Sequence, residues 1–83
     1  LSPANRAALG MLLPVLEESE RAHGAAIDGL NAIASLASLS DFAYLALDRQ
    51  RTIYEEVRSM ERDLIDITRD GLKRATAEQE DAA

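Results

Sequence analysis

The sequence predicts an all-α fold: a two-helix antiparallel hairpin that pairs with a second copy as a dimeric four-helix bundle. Three observations predict it. Apolar residues recur every three or four positions along most of the chain, which is the spacing of a helix face, and no strand is predicted anywhere. One internal cluster, Ala34-Ser-Leu-Ala-Ser-Leu-Ser-Asp41, holds the serines and aspartate that compete with helix through side-chain to backbone bonds. After it there is no proline, and glycine recurs only at Gly71, so the remainder can run as a single helix.

Helix one is predicted over 3–35. Ser2 supplies an N-cap and Pro3 stands at the first helical position, where a missing N–H costs nothing and the fixed φ suits a helix. Its apolar face runs through Leu9, Leu12, Leu13 and Leu16, skips Ser19 and His23, and resumes at Ala26, Ile27, Leu30, Ile33 and Ala34. Pro14 removes one backbone hydrogen bond and crowds the carbonyl of Gly10, which predicts a kink near Pro14, either a bend or a break between Gly10 and Leu13.

The turn is predicted at 36–40, where Ser38-Leu-Ser-Asp41 fits a capping box of the Ser-x-x-acid type. Helix two is predicted over 40–77, a length of ~60 Å at 1.5 Å per residue. Together with the turn leucines, its expected seam is Leu36, Leu39, Ala43, Ala46, Gln50, Ile53, Val57, Met60, Leu64, Ile67 and Gly71, a coiled-coil spacing interrupted by Gln50 and Gly71. Asp48, Arg51, Glu55, Arg58, Arg62, Asp66 and Arg69 occupy the other faces as opposite charges three or four residues apart, expected to be solvated. Residues 78–83 are expected to form a frayed acidic tail.

Composition narrows the function classes. The chain has 83 residues, 47% of them hydrophobic, and a net charge of -6, which makes one small domain that is too apolar for a disordered acidic segment. Its longest apolar stretch, Leu9 to Leu16, is far too short to span a bilayer. Arg and Lys are interleaved with Asp and Glu, so there is no clustered basic field for nucleic acid. Without cysteine there is no disulfide framework, and a reducing cytoplasm is the default location. The opening at Leu1, with no basic and then apolar leader, suggests an excised segment of something longer.

Two helices side by side bury too little apolar surface to support a domain of this size. The shortfall is sharpest at Phe42-Ala-Tyr-Leu-Ala-Leu47, where apolar side chains point around the whole circumference of a helix. A second copy is the simplest cover, with an interface formed by Ala26, Leu30, Ile33, Phe42, Leu45, Ala46, Leu47, Ile53, Val57, Met60 and Leu64. Ala22, Gly24, Ala25, Ala26, Gly29 and Ala32 would let helices approach closely. The other possible covers are a further part of a parent chain or a different protein. No cofactor is expected. Catalysis is not expected either, because the serines cluster at the turn, a single histidine is present, and the abundant acids have arginine neighbours. Gln50 reads as a contact that fixes register.

One motif carries possible site chemistry. Glu20-Arg-Ala-His23 places an acid and a histidine three apart on one helix face, and a turn near residue 38 would set Glu56 at the same height on helix two. This motif resembles the encapsulated ferritins, two-helix chains that complete a di-iron site at a dimer interface, although in that family the Glu-x-x-His lies on the later helix. The resemblance implies a ferroxidase with Glu20, His23 and Glu56 as metal ligands. The preferred expectation is that His23 is a partly buried structural residue while the acids turn outward to water, so that His23→Ala changes little. A second resemblance covers residues 36–75. The run "LASLSDFAYLALDRQRTIYEEVRSMERDLIDITRDGLKRA" is similar to the central segment of phasins, with a Ser/Asp turn, an apolar run, a Gln, an aromatic and a long amphipathic helix. It implies a non-enzymatic coat on polyhydroxyalkanoate granules, binding through Phe42, Leu45, Leu47 and Tyr54.

Overall fold

The computed structural model describes residues 1–82, with side chains up to Glu78. Two helices, α1 (Pro3–Ala34) and α2 (Asp41–Ala82), pack antiparallel as a rod of 65 × 16 × 14 Å, with no strand among the described residues. Its radius of gyration is 18.7 Å, against roughly 12 Å for a compact chain of this length. Among the described residues, no helix is long and apolar enough to cross a membrane.

Ser2 caps α1 as expected, its Oγ accepting from the Asn5 N–H at 3.1 Å ahead of Pro3. The helix then passes Pro14 without interruption, so the break expected between Gly10 and Leu13 does not occur. Gly10 and Pro14 are both exposed, and a Cβ on Gly10 would meet nothing within 4 Å. Water therefore has room to satisfy the Gly10 carbonyl that the proline leaves without a partner.

The turn occupies 35–40, and its chemistry differs from the expected capping box. Ser38 does not cap. It takes φ 82°, the left-handed conformation that reverses the chain. Ser40 caps α2 instead, its Oγ accepting from the Ala43 N–H at 3.2 Å, and Asp41 follows in the first turn, where a negative charge meets the positive end of the helix dipole. The Tyr44 hydroxyl donates to the Leu36 carbonyl at 3.2 Å and ties α2 back to the turn. Since serine pays a Cβ penalty at positive φ that glycine avoids, Ser38→Gly is expected to raise stability by up to about 1 kcal/mol in urea unfolding.

α2 continues to Ala82, five residues past the expected end at 77, so the backbone of the expected frayed tail is helical up to that residue. The side chains from 79 onward lie outside the described residues. The line along which α2 meets α1 also differs from the expected seam. Leu39, Ala43, Gln50, Val57 and Gly71 do face α1, but Leu36 is exposed and the remaining inward positions are Leu47, Tyr54, Glu61, Ile65, Thr68, Leu72 and Ala75. Ala46, Ile53, Met60, Leu64 and Ile67 stand about a residue to one side and are exposed. Tyr54, Glu61 and Thr68 share one heptad position next to that of Ile53, Met60 and Ile67, and a rule that selects apolar residues chooses the wrong one of the two stripes. Glu61 and Thr68 tolerate the inward place because each has a partner: His23 for Glu61, and the Leu64 carbonyl, 2.7 Å from Thr68 Oγ1.

The hairpin has little core of its own. Among the described residues the buried apolar side chains are Ile27, Ile65 and Ala75, and no large side chain is fully enclosed.

Candidate functional site

Two features stand out, a polar layer between the helices and an apolar flank on the outside. The layer forms midway along the rod. Glu20 of α1 accepts from Arg58 Nε at 2.8 Å and from Arg62 Nε at 2.9 Å, both on one carboxylate oxygen. His23, one turn later, donates from Nδ1 to Glu61 Oε1 at 2.7 Å, and its ring lies 5.4 Å from that of Tyr54. Glu17 and Arg69 close the layer at 3.2 Å. Gly24 makes room for it, because a Cβ there would stand 2.9 Å from the Arg58 guanidinium carbon.

Hydrogen bonds from Arg58 and then Arg62 hold the Glu20 carboxyl below its ordinary value, against a smaller opposing effect of burial. A carboxylate whose folded value is depressed stabilises the fold fully above the ordinary value of 4.5 and loses that contribution as pH falls through the folded value. Acid titration of stability is therefore expected to be shallower below pH 4.5 in Glu20→Gln than in the unaltered chain, as measured by thermal unfolding at stepped pH.

The layer corrects two expectations. Glu20 does not turn outward to water but is tied to two arginines, and Arg58 and Arg62 are ion-paired instead of merely solvated. Glu56, expected level with Glu20, is exposed, while residues 58 and 62 stand at that height. The structure thus brings Glu20 and His23 into one layer and leaves Glu56 outside it. Among the described residues no three His, Asp or Glu side chains gather as a metal site. Glu61, the partner of His23, was not singled out from the sequence. The signal that could have found it is its heptad spacing from Tyr54 and Thr68. A groove of about 740 Å³ beside the layer, lined by Glu17, Glu20, Arg21, Arg62, Ile65 and Asp66 among others, carries both signs of charge, which the ion pairs largely neutralise.

The two sides of the rod differ in chemistry. On both helices the residue just after an inward position carries the cross-helix polar contacts, as at Glu17, Asn31, Arg51, Arg58, Arg62 and Arg69. The residue just before an inward position lies about 200° around the helix from the one just after it, and there the side chains are mostly apolar. Leu12, Val15, Ala22, Gly29 and Ile33 hold these places on α1, with Glu18 among them, and Phe42, Ala46, Ile53, Met60, Leu64 and Ile67 hold them on α2, interrupted by Arg49 and Glu56. Because the helices are antiparallel, the two apolar flanks fall on the same side of the rod. Phe42 is 80% exposed and Met60 57%.

Of the expected interface residues, Ile33, Phe42, Leu45, Ala46, Ile53, Met60 and Leu64 are exposed, while Ala26, Leu30, Leu47 and Val57 are half-buried within the hairpin. For the expected granule-binding set, Phe42 and Leu45 are exposed, whereas Leu47 and Tyr54 are half-buried and face α1. Compared with family models, curated proteins and solved structures, the chain matches none.

Proposed function

We propose that the chain is a non-enzymatic helical association module that docks its apolar flank on a second copy and closes a four-helix bundle. The observation that carries this reading is the segregation of the surface, with cross-helix ion pairs on one side and uncovered aliphatic side chains on the other. The area supports it. A compact monomer of 9.0 kDa exposes roughly 4,850 Å² by the usual scaling, whereas this hairpin exposes 6022 Å². The excess is larger than the roughly 800 Å² that each partner contributes to a stable interface. Association then supplies the core that the hairpin lacks, so the melting temperature should rise with protein concentration. A melting temperature that stays constant over a hundredfold range of concentration would argue against the reading.

A second reading, a phasin-like coat, draws on the same flank and on the high exposure of Phe42 and Leu45 near the turn. It differs in what covers them, an apolar polymer surface instead of another chain. Adsorption to polyhydroxyalkanoate particles that is lost in Phe42→Ser with Leu45→Ser would favour it. No adsorption of the unaltered chain would remove it.

A further inference from the structure

Resting on the self-docking reading, we infer that the two copies pair α2 against α2 in antiparallel register, about a two-fold axis passing beside Ile53, with Arg49 of each chain bonded to Glu56 of the other. Arg49 and Glu56 are the two charges that interrupt the apolar stripe of α2 between Phe42 and Ile67. Both are exposed, and neither has an ion-pair partner among the described residues. Arg49 is the exception among the described arginines, since every other one reaches an acid, an amide or a hydroxyl. A charge left without a partner inside an apolar contact surface is costly unless the docked molecule supplies one.

Two-fold symmetry states which one. In an isologous interface residue i meets j and j meets i. Arg49 and Glu56 flank Ile53 by four and three residues, so antiparallel pairing centred on Ile53 brings each Arg49 onto the opposite Glu56 and forms two equivalent ion pairs. The same operation sets Ala46 against Met60 and Phe42 against Leu64, a small or flat side chain against a long one in each case, and uses the stripe over nearly its full length.

The other arrangements fail on the same two residues. Parallel pairing of α2 with α2 would stack Arg49 on Arg49 and Glu56 on Glu56. Pairing of α2 with the partner's α1 would bring both charges against the part of the flank between Ala22 and Ile33, which carries no charge. The contacts Asn31–Arg51 and Glu20–Arg58 place Ile53 level with the region of Ala26. The axis that centres α2 on Ile53 therefore centres α1 near Ala26, with Ala22 and Gly29 on either side. The two α1 helices then meet through small residues and can approach closely enough for the α2 contact to form.

Charge exchange tests the register. The dissociation constant of the full chain is measured by sedimentation for the unaltered protein, for Arg49→Glu, for Glu56→Arg, for the double exchange, and for an equimolar mixture of the two single variants. Each single variant faces like charges twice, and its dissociation constant is expected to rise roughly tenfold to a hundredfold. The double exchange restores both pairs and should return to within about threefold of the unaltered chain. The mixture should form a heterodimer, because one chain then presents two acids and the other two arginines. A dimeric chain whose affinity ignores the single exchanges would overturn the register and leave self-docking standing. An unaltered chain that is a folded monomer would overturn both.

Discussion

Met60→Asp is expected to dissociate the proposed dimer and, with it, to lower the melting temperature sharply. Met60 is 57% exposed in the hairpin, so an aspartate there touches nothing that the isolated chain buries. Within the proposed bundle, however, it would place an unpaired carboxylate in an apolar contact, at a cost of about 4 kcal/mol or more, which corresponds to roughly a thousandfold or more in the dissociation constant. Folding should suffer as well, because among the described residues the hairpin alone buries only Ile27, Ile65 and Ala75 as apolar side chains. Arg62→Ala is the matched control. Arg62 is also exposed, but on the opposite side of α2, and Glu20 keeps Arg58 when Arg62 is removed. Its loss is expected to cost less than about 1 kcal/mol. Val57→Asp should be as damaging as Met60→Asp for a different reason, since Val57 faces α1 within the hairpin.

The second large effect is expected at the polar layer. His23→Ala should destabilise the fold by about 1–3 kcal/mol in urea unfolding, because it leaves the Glu61 carboxylate without its partner. Glu61 is only 8% exposed and cannot simply turn to water. This replaces the small effect expected from the sequence, in which the partial burial of the histidine is legible but the buried acid beside it is not. Combining His23→Leu with Glu61→Leu should recover most of the loss, since no charge then needs a partner. A double variant as unstable as the sum of its parts would mean that the two side chains act independently.

Much of the hairpin was legible because each helix announces itself locally. Ser2-Pro3, the three- and four-residue apolar spacing and the serine-rich turn all act over a few residues, and the structure has two helices and a turn in those places. The register between the helices was not legible in the same way. It depends on the turn, where Ser38 takes the left-handed conformation and Ser40, not Ser38, caps α2. A displacement of that kind moves the level of Glu20 from Glu56 to Arg58 and Arg62.

The choice of inward stripe was hidden for a related reason. Ile53, Met60 and Ile67 are more apolar than their neighbours Tyr54, Glu61 and Thr68, and hydrophobicity alone turns them toward α1. Glu61 faces inward because His23 is there to meet it, and Gly24 leaves space for Arg58 beside Glu20. Such pairings link residues 38 positions apart, which no local pattern reports. The exposed flank, by contrast, was partly visible as an excess of apolar residues around Phe42 to Leu47 that two helices could not cover.

The proposed function turns on whether a second copy of the chain covers the apolar flank. Sedimentation equilibrium of the untagged chain at micromolar concentration tests it most directly, because mass is read without reference to shape and a rod 65 Å long would mislead a size-based method. A species of twice 9.0 kDa that dissociates on dilution is expected. A stable, fully helical species of 9.0 kDa across the same range would contradict it.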